Sequence, residues 1–261
     1  MSAAPTVRRT PAASRRAPST GVLARTEWRL FCREPVGLVW GLVLPVAAFV
    51  VLGLVPGTTR PARSLGGVSA VATYEPVVLL FSLTMLAVNA MPVVLGTYRE
   101  RGVLRRLAVT PMPAWRLLAV QMGIHAAVAA VTAAVVAVLG AAAFGVGVPG
   151  SVGGWVLAYA LTTAALLGLG VLVAAVAPSA RVANALGAAL FFPLMFFAGL
   201  WIPRAVMPDA LRSVSDLTPL GAAVRALSAA DGGHLSGSAL AVLATYALVL
   251  PAVAARCFRW E

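Results

Sequence analysis

Long runs of apolar residues alternate with short polar, Arg-bearing segments along the whole chain. Residues 36–55, 77–97, 117–144, 152–177, 183–202 and 239–255 contain no Asp, Glu, Arg or Lys. At ~1.5 Å per helical residue, the first five are about 30 Å or longer and match a hydrocarbon layer of about 30 Å, and the last, 239–255, is at the short limit for a span. The pattern predicts six transmembrane helices. Pro45 is expected to kink the first of them, the third is long enough to tilt, and Ala160, Ala164 and Gly168 give the fourth a stripe of small residues for close packing.

The polar segments differ from one another. Residues 1–20 are Pro, Ser, Ala and Arg without periodicity, which predicts a disordered cytoplasmic arm. Arg8, Arg9, Arg15 and Arg16 imitate a twin-arginine export signal, but no apolar core follows them closely and no cleavage is expected. Residues 21–34 read as an amphipathic helix lying in the membrane interface, with Arg25, Arg29 and Arg33 on one face and Trp28, Phe31 and Cys32 on the next. Pro35 ends it. The segment 56–76 is a loop rich in Gly, Ser, Thr and Pro. Segment 98–116, YRERGVLRRLAVTPMPAWR, carries five Arg and one Glu and predicts a short helix stopped by Thr110, Pro111, Met112 and Pro113. Residues 203–238 mix three Arg and three Asp with apolar positions and predict short interfacial helices.

Composition agrees with this layout. The chain is 61% hydrophobic and 11% charged, with a mean hydropathy of +0.93, outside the range of soluble domains. The net charge of +12 would point to nucleic acid in a soluble protein, but here the Arg residues flank apolar runs and report topology instead. With both termini inside, fifteen Arg fall on the inner side and five on the outer. Cys32 and Cys257 then face the cytoplasm as reduced thiols.

Several chemistries are excluded. Every basic residue is Arg, so the Lys of a phosphate-binding loop is missing and the chain cannot bind ATP through one. The expected spans hold no carboxylate for ion coupling, and their strongly polar residues are Asn89, His125 and Asn184. His125 is read as a neutral, hydrogen-bonded histidine near the cytoplasmic end of the third span; the two Asn are read as helix cement or as facing a substrate path. Two His and two Cys on separate elements make no zinc site, and no nucleophile has a base beside it. The chain is not expected to be an enzyme, to bind a metal, or to hold a cofactor of its own.

Two stretches carry a resemblance. Residues 98–118, YRERGVLRRLAVTPMPAWRLL, resemble the cytoplasmic signature of ABC-2 type permeases, the membrane subunits of ATP-binding-cassette exporters: a Glu-Arg pair, a Gly, a Leu-rich turn and a Thr-Pro after the second span. Residues 184–227 resemble that family's fifth span and outer segment, with an Asn, a Phe-Phe-Pro, an aromatic-Gly turn, a Thr-Pro-Leu and a late Arg. Within the family, the drug- and antibiotic-resistance type, daunorubicin-resistance-like, is the most similar.

The resemblance implies an all-α membrane protein of six transmembrane helices, preceded by the amphipathic helix and with interfacial helices before the last span. It implies a bacterial cell-membrane location, a second permease copy as homodimer or heterodimer, and a separate cytoplasmic ATPase that holds ATP and Mg. Carried over residue by residue, Trp28, Arg29, Arg33, Glu100, Arg101, Gly102, Leu104, Arg105, Arg106 and Leu107 form the seat for that ATPase. Met85, Asn89, Phe192, Met195 and Phe196 are the expected lining of a path for a hydrophobic drug, antibiotic or lipid-like molecule between permeases. The alternatives are a permease for polysaccharide or lipid-linked polymer and a membrane immunity or structural protein that transports nothing. Charge alone favours an ordinary basic loop at 98–116, and it is the rest of the chain that points to a docking helix.

Overall fold

In the computed structural model, residues 20–108 and 114–257 are described. The expected arm up to residue 19, the stop at 110–113, the last four residues and the side chains of Leu107 and Cys257 lie outside that description. Helix α1 (Thr20–Arg33) comes first. The chain turns at Glu34, which is extended (φ −94°), and Pro35 opens the next helix, where its missing N–H costs nothing.

Six helices are long and apolar enough to span a membrane: α2 (Pro35–Leu54), α3 (Ala70–Glu100), α5 (Ala114–Ala143), α6 (Val152–Val176), α7 (Ala180–Ala198) and α10 (Gly237–Cys257). α3 and α6 are the most enclosed, and α2, α5, α7 and α10 pack around them. A short helix, α4 (Val103–Ala108), follows α3 at the end where α1 also lies. At the opposite end are a two-residue hairpin of β1 (Pro61–Ala62) and β2 (Val68–Ser69), and two helices, α8 (Asp209–Leu217) and α9 (Pro219–Asp231).

Three expectations need correction. α3 starts seven residues earlier than residue 77, capped by the Ser69 hydroxyl, which accepts from the Ala72 N–H at 3.2 Å. Glu75 therefore stands on a spanning helix instead of in a loop, and the spans are not free of carboxylates. α7 ends at Ala198 because Gly199 takes φ +87°, so residues 199–202 are not part of the fifth span. α9 is more enclosed than a helix lying on the surface: ten of its residues, among them Leu220, Val224 and Leu227, are buried, and it packs against α6, α7 and α10. Only α8 has the exposed amphipathic character expected of this segment. The Arg and Asp of the segment do pair locally. Asp216 holds Arg204 at 2.6 Å and Arg225 at 3.3 Å, and Arg212 lies 3.5 Å from Asp209.

Pro45 widens its helix into a π-turn over Val39–Val43. Lacking an N–H, it leaves the Gly41 carbonyl without a partner in its own helix. The Ser82 and Thr132 hydroxyls supply one, donating to it at 2.5 and 2.8 Å, and so bolt α2 to α3 and α5. Pro92 sits likewise just past a π-turn over Met85–Ala90 and frees the Val88 carbonyl. α6 and α7 meet α3 here through glycines: a Cβ on Gly170 would land on the Ala87 carbonyl oxygen, and one on Gly187 on that of Val88. The expected stripe contributes less, since Ala160 is exposed and Ala164 half-buried; Gly168 receives the ring of Pro251.

Candidate functional site

Tyr98, Arg99 and Glu100 of the YRERG stretch each meet a different element. The Tyr98 hydroxyl donates to Glu27 of α1 at 2.7 Å. Arg99 donates to the carbonyls of Ala174 (3.2 Å) and Ala177, at the C-terminal end of α6, where a helix dipole favours a cation. The Glu100 carboxylate accepts from the Ala180 N–H at 2.9 Å, at the N-terminal end of α7, where the dipole favours an anion. Gly96 lets the two chains meet, since a Cβ there would stand 2.7 Å from the Ala180 nitrogen. Gly102 takes φ +66° and releases the chain into α4. The cap on α7 is completed by Ser179, whose hydroxyl accepts from Val182.

Glu27 is the hub of this end. It is 7% exposed, and its carboxylate accepts from Tyr98 of α3 and from Gln121 of α5, both at 2.7 Å. Burial pushes its pKa above the ordinary carboxylate value; the hydrogen bonds from Tyr98 and Gln121 pull the other way, and nearby Glu34 adds to the rise. One turn further along α1, Phe31 is buried edge-on against the His125 ring, 5.3 Å between centroids, and stacks on Trp28. Gly37 makes room for it, as a Cβ there would stand 2.9 Å from the Phe31 ring.

Of the expected seat, Trp28, Arg29, Arg33, Glu100, Arg101, Arg105 and Arg106 are exposed, and α1 and α4 lie at the same end of the molecule. Leu104 is 1% exposed. It anchors α4 to its own chain and is not exposed as an apolar knob, and the exposed side chains among the described residues of α4 are Arg105 and Arg106.

A cavity of about 680 Å³ opens between α2, α3 and α7. It brings together Met85, Asn89 and Phe192 of the expected path with Phe31, Trp40, Phe81, Phe191 and Asn184. Arg33 and Glu34 also line it. Met195 is fully buried in the core, and Phe196 lies in a separate surface hollow with Phe192, Phe197 and Trp201, so the five expected residues do not form one wall. His125 also lines the cavity. Its Nδ1 is 2.8 Å from the Gln121 carbonyl, and its Nε2 has no hydrogen-bond partner among the described residues. The reading of His125 as buried and hydrogen-bonded holds, and the cavity beside it is the addition. Sequence reasoning missed Glu27 and Gln121. A signal for Glu27 existed, since it is the single acid in a helix whose other charges are Arg.

The family model for the ABC-2 type transporter matches residues 18–230. No curated protein matches the chain.

Proposed function

Because the chain belongs to the ABC-2 type transporter family, we propose that it is the permease of an ATP-driven exporter, moving a hydrophobic drug, antibiotic or lipid-like molecule through the aromatic cavity. The chain is a multi-pass membrane transport subunit and is not itself the ATPase. The observation that supports export through this cavity is the double attachment of α1. Glu27 ties α1 to α3 and α5 through 2.7 Å bonds, and Phe31, one turn on, lines the cavity. A push on the exposed Trp28–Arg29–Arg33 face therefore reaches the cavity within one helical turn.

In this reading a cytoplasmic ATPase, which carries ATP and Mg, docks on Arg101, Arg105 and Arg106 of the α3–α4 corner together with Trp28, Arg29 and Arg33. Exposed guanidinium groups suit an acidic groove and steer the approach of such a partner. Both termini are cytoplasmic, the membrane is that of a bacterial cell, and a second permease copy completes the path. Gly102 sets the angle of α4 and Leu104 fixes it. Met195 acts from behind the cavity wall and Phe196 beside its rim. The apolar, aromatic lining with a few amides matches a loosely selective site for a hydrophobic molecule.

The test is co-purification in detergent with ATPase subunits from the same genome. Native chain should retain one. The triple variant Arg101→Ala, Arg105→Ala, Arg106→Ala should lose it while its own unfolding midpoint stays put, since exposed substitutions cost less than about 0.5 kcal/mol each. An ATPase bound equally by the triple variant places the seat elsewhere. Failure of every candidate to bind the native chain removes the motor and favours a non-transporting membrane protein.

A further inference from the structure

A second space, about 800 Å³, lies between α5 and α6. It is on a different face of α5 from the aromatic cavity: Met122, Gly123 and Ala126 line it, whereas His125 lines the other. Its walls are mainly Ala and Val, with Trp155 and Tyr159 among them, and several of the small residues, such as Ala134, Ala137, Val156 and Ala160, are exposed, so the space is a groove open along the side of the molecule. From Met122 to Ala141 it follows twenty residues of α5, about 28 Å of helix, close to the thickness of a hydrocarbon layer. What surrounds such a side in the membrane is acyl chain.

One charged residue lines this groove, Glu75, in the second turn of α3. The Glu75 carboxylate has neither a hydrogen bond nor an ion pair among the described residues, and no basic residue lines the groove. Asp231, at the end of α9, adds negative charge on this side of the molecule. Asp231 is fixed there because its carbonyl accepts from the Gly150 N–H at 3.1 Å, joining the end of α9 to the α5–α6 turn whose residues 146–149 close the groove. Uncompensated carboxylate at a hydrocarbon boundary is costly, and a cation delivered there relieves it. An anionic headgroup would be repelled by the same charges.

We propose that the α5–α6 groove is a binding site for a membrane lipid with a primary-amine headgroup, its ammonium on Glu75 and one acyl chain between the two helices. The amine supplies the missing counter-charge, and the lateral opening along α5 gives the chain a route in from the bilayer. A lipid satisfies both ends of the groove at once. The site does not depend on the transport reading, because binding is measured on the permease alone.

The experiment loads purified chain into nanodiscs of equal phosphatidylethanolamine, phosphatidylglycerol and phosphatidylcholine, extracts it into detergent, and measures retained lipid by mass spectrometry. Native chain should enrich phosphatidylethanolamine about threefold over each of the others, the scale of a partly exposed ion pair. Glu75→Gln should bring the ratio back to that of the disc. Ala137→Phe, which fills the groove and leaves both carboxylates in place, should do the same and serves if Glu75→Gln folds poorly. Asp209→Asn, an exposed acid on α8, should leave the enrichment intact. Equal retention of the three lipids by native chain overturns the proposal, as does a preference that survives both Glu75→Gln and Ala137→Phe. Dodecylamine retained through Glu75 without any phosphatidylethanolamine enrichment overturns it too, by assigning the groove to free amphipathic amines.

Discussion

Glu27 joins an acid to a membrane-embedded bundle at a point where water is scarce. Its two hydrogen bonds make the carboxylate tolerable, but burial outweighs them and its pKa is raised in the folded chain. The folded state thus holds the Glu27 proton more tightly than the unfolded state. The resulting stabilisation is complete below the unfolded value of 4.5 and is lost as pH rises through the raised value. In detergent, the unfolding midpoint of native chain should fall across this interval by more than that of Glu27→Gln, whose uncharged amide has no such slope. Parallel profiles for the two proteins would contradict the assignment. Glu27→Ala, by contrast, orphans the donors of Tyr98 and Gln121 and should cost about 1–3 kcal/mol at any pH, read as a lowered midpoint by intrinsic fluorescence.

Helix packing here is governed by prolines and glycines acting in pairs. A proline frees a carbonyl, the helix widens around it, and a neighbour covers the freed group: Ser82 and Thr132 at Gly41, Gly187 at Val88. The glycines on α6 and α7 meet backbone, which cannot swing away as a side chain can. Gly170→Ala should therefore destabilise the chain by about 1–3 kcal/mol, as overpacking does. Gly123→Ala, where a Cβ meets nothing within 4 Å, should be neutral or add a few tenths from helix propensity. Thermal unfolding of the two variants side by side checks this, and equal losses would mean that α6 does not press on α3 at the Ala87 carbonyl.

Across the whole molecule, α1 and α4 share one end and the hairpin, α8 and α9 the other. Proposed as cytoplasmic and external, these ends differ in their access to an impermeant reagent. Cys32 is exposed at the first end, and Ser64 is exposed in the hairpin of the second. A membrane-impermeant maleimide should label Cys32 only after cells are opened. It should label Ser64→Cys, made in a background of Cys32→Ser and Cys257→Ser, in intact cells. The reverse pattern would invert the orientation and move the Arg-rich seat outside.

What the sequence determined by itself is the count and rough position of six spans and the amphipathic α1, because a hydrocarbon layer demands long charge-free runs and that demand is local. The family was legible for a similar reason, as its motifs lie at turns and caps whose chemistry is read over a few residues. The tertiary structure decided which partners those residues take. Arg99 and Glu100 meet the ends of α6 and α7, some eighty positions away in the chain, and Leu104 turns inward. The start of α3 needed the Ser69 cap, the burial of α9 needed the faces of α6 and α10, and the cavity needed α2, α3 and α7 side by side. In an Ala- and Val-rich chain every helix face is apolar enough to meet lipid or protein, so hydrophobic pattern cannot choose between them; shape, freed carbonyls and a few buried polar groups do.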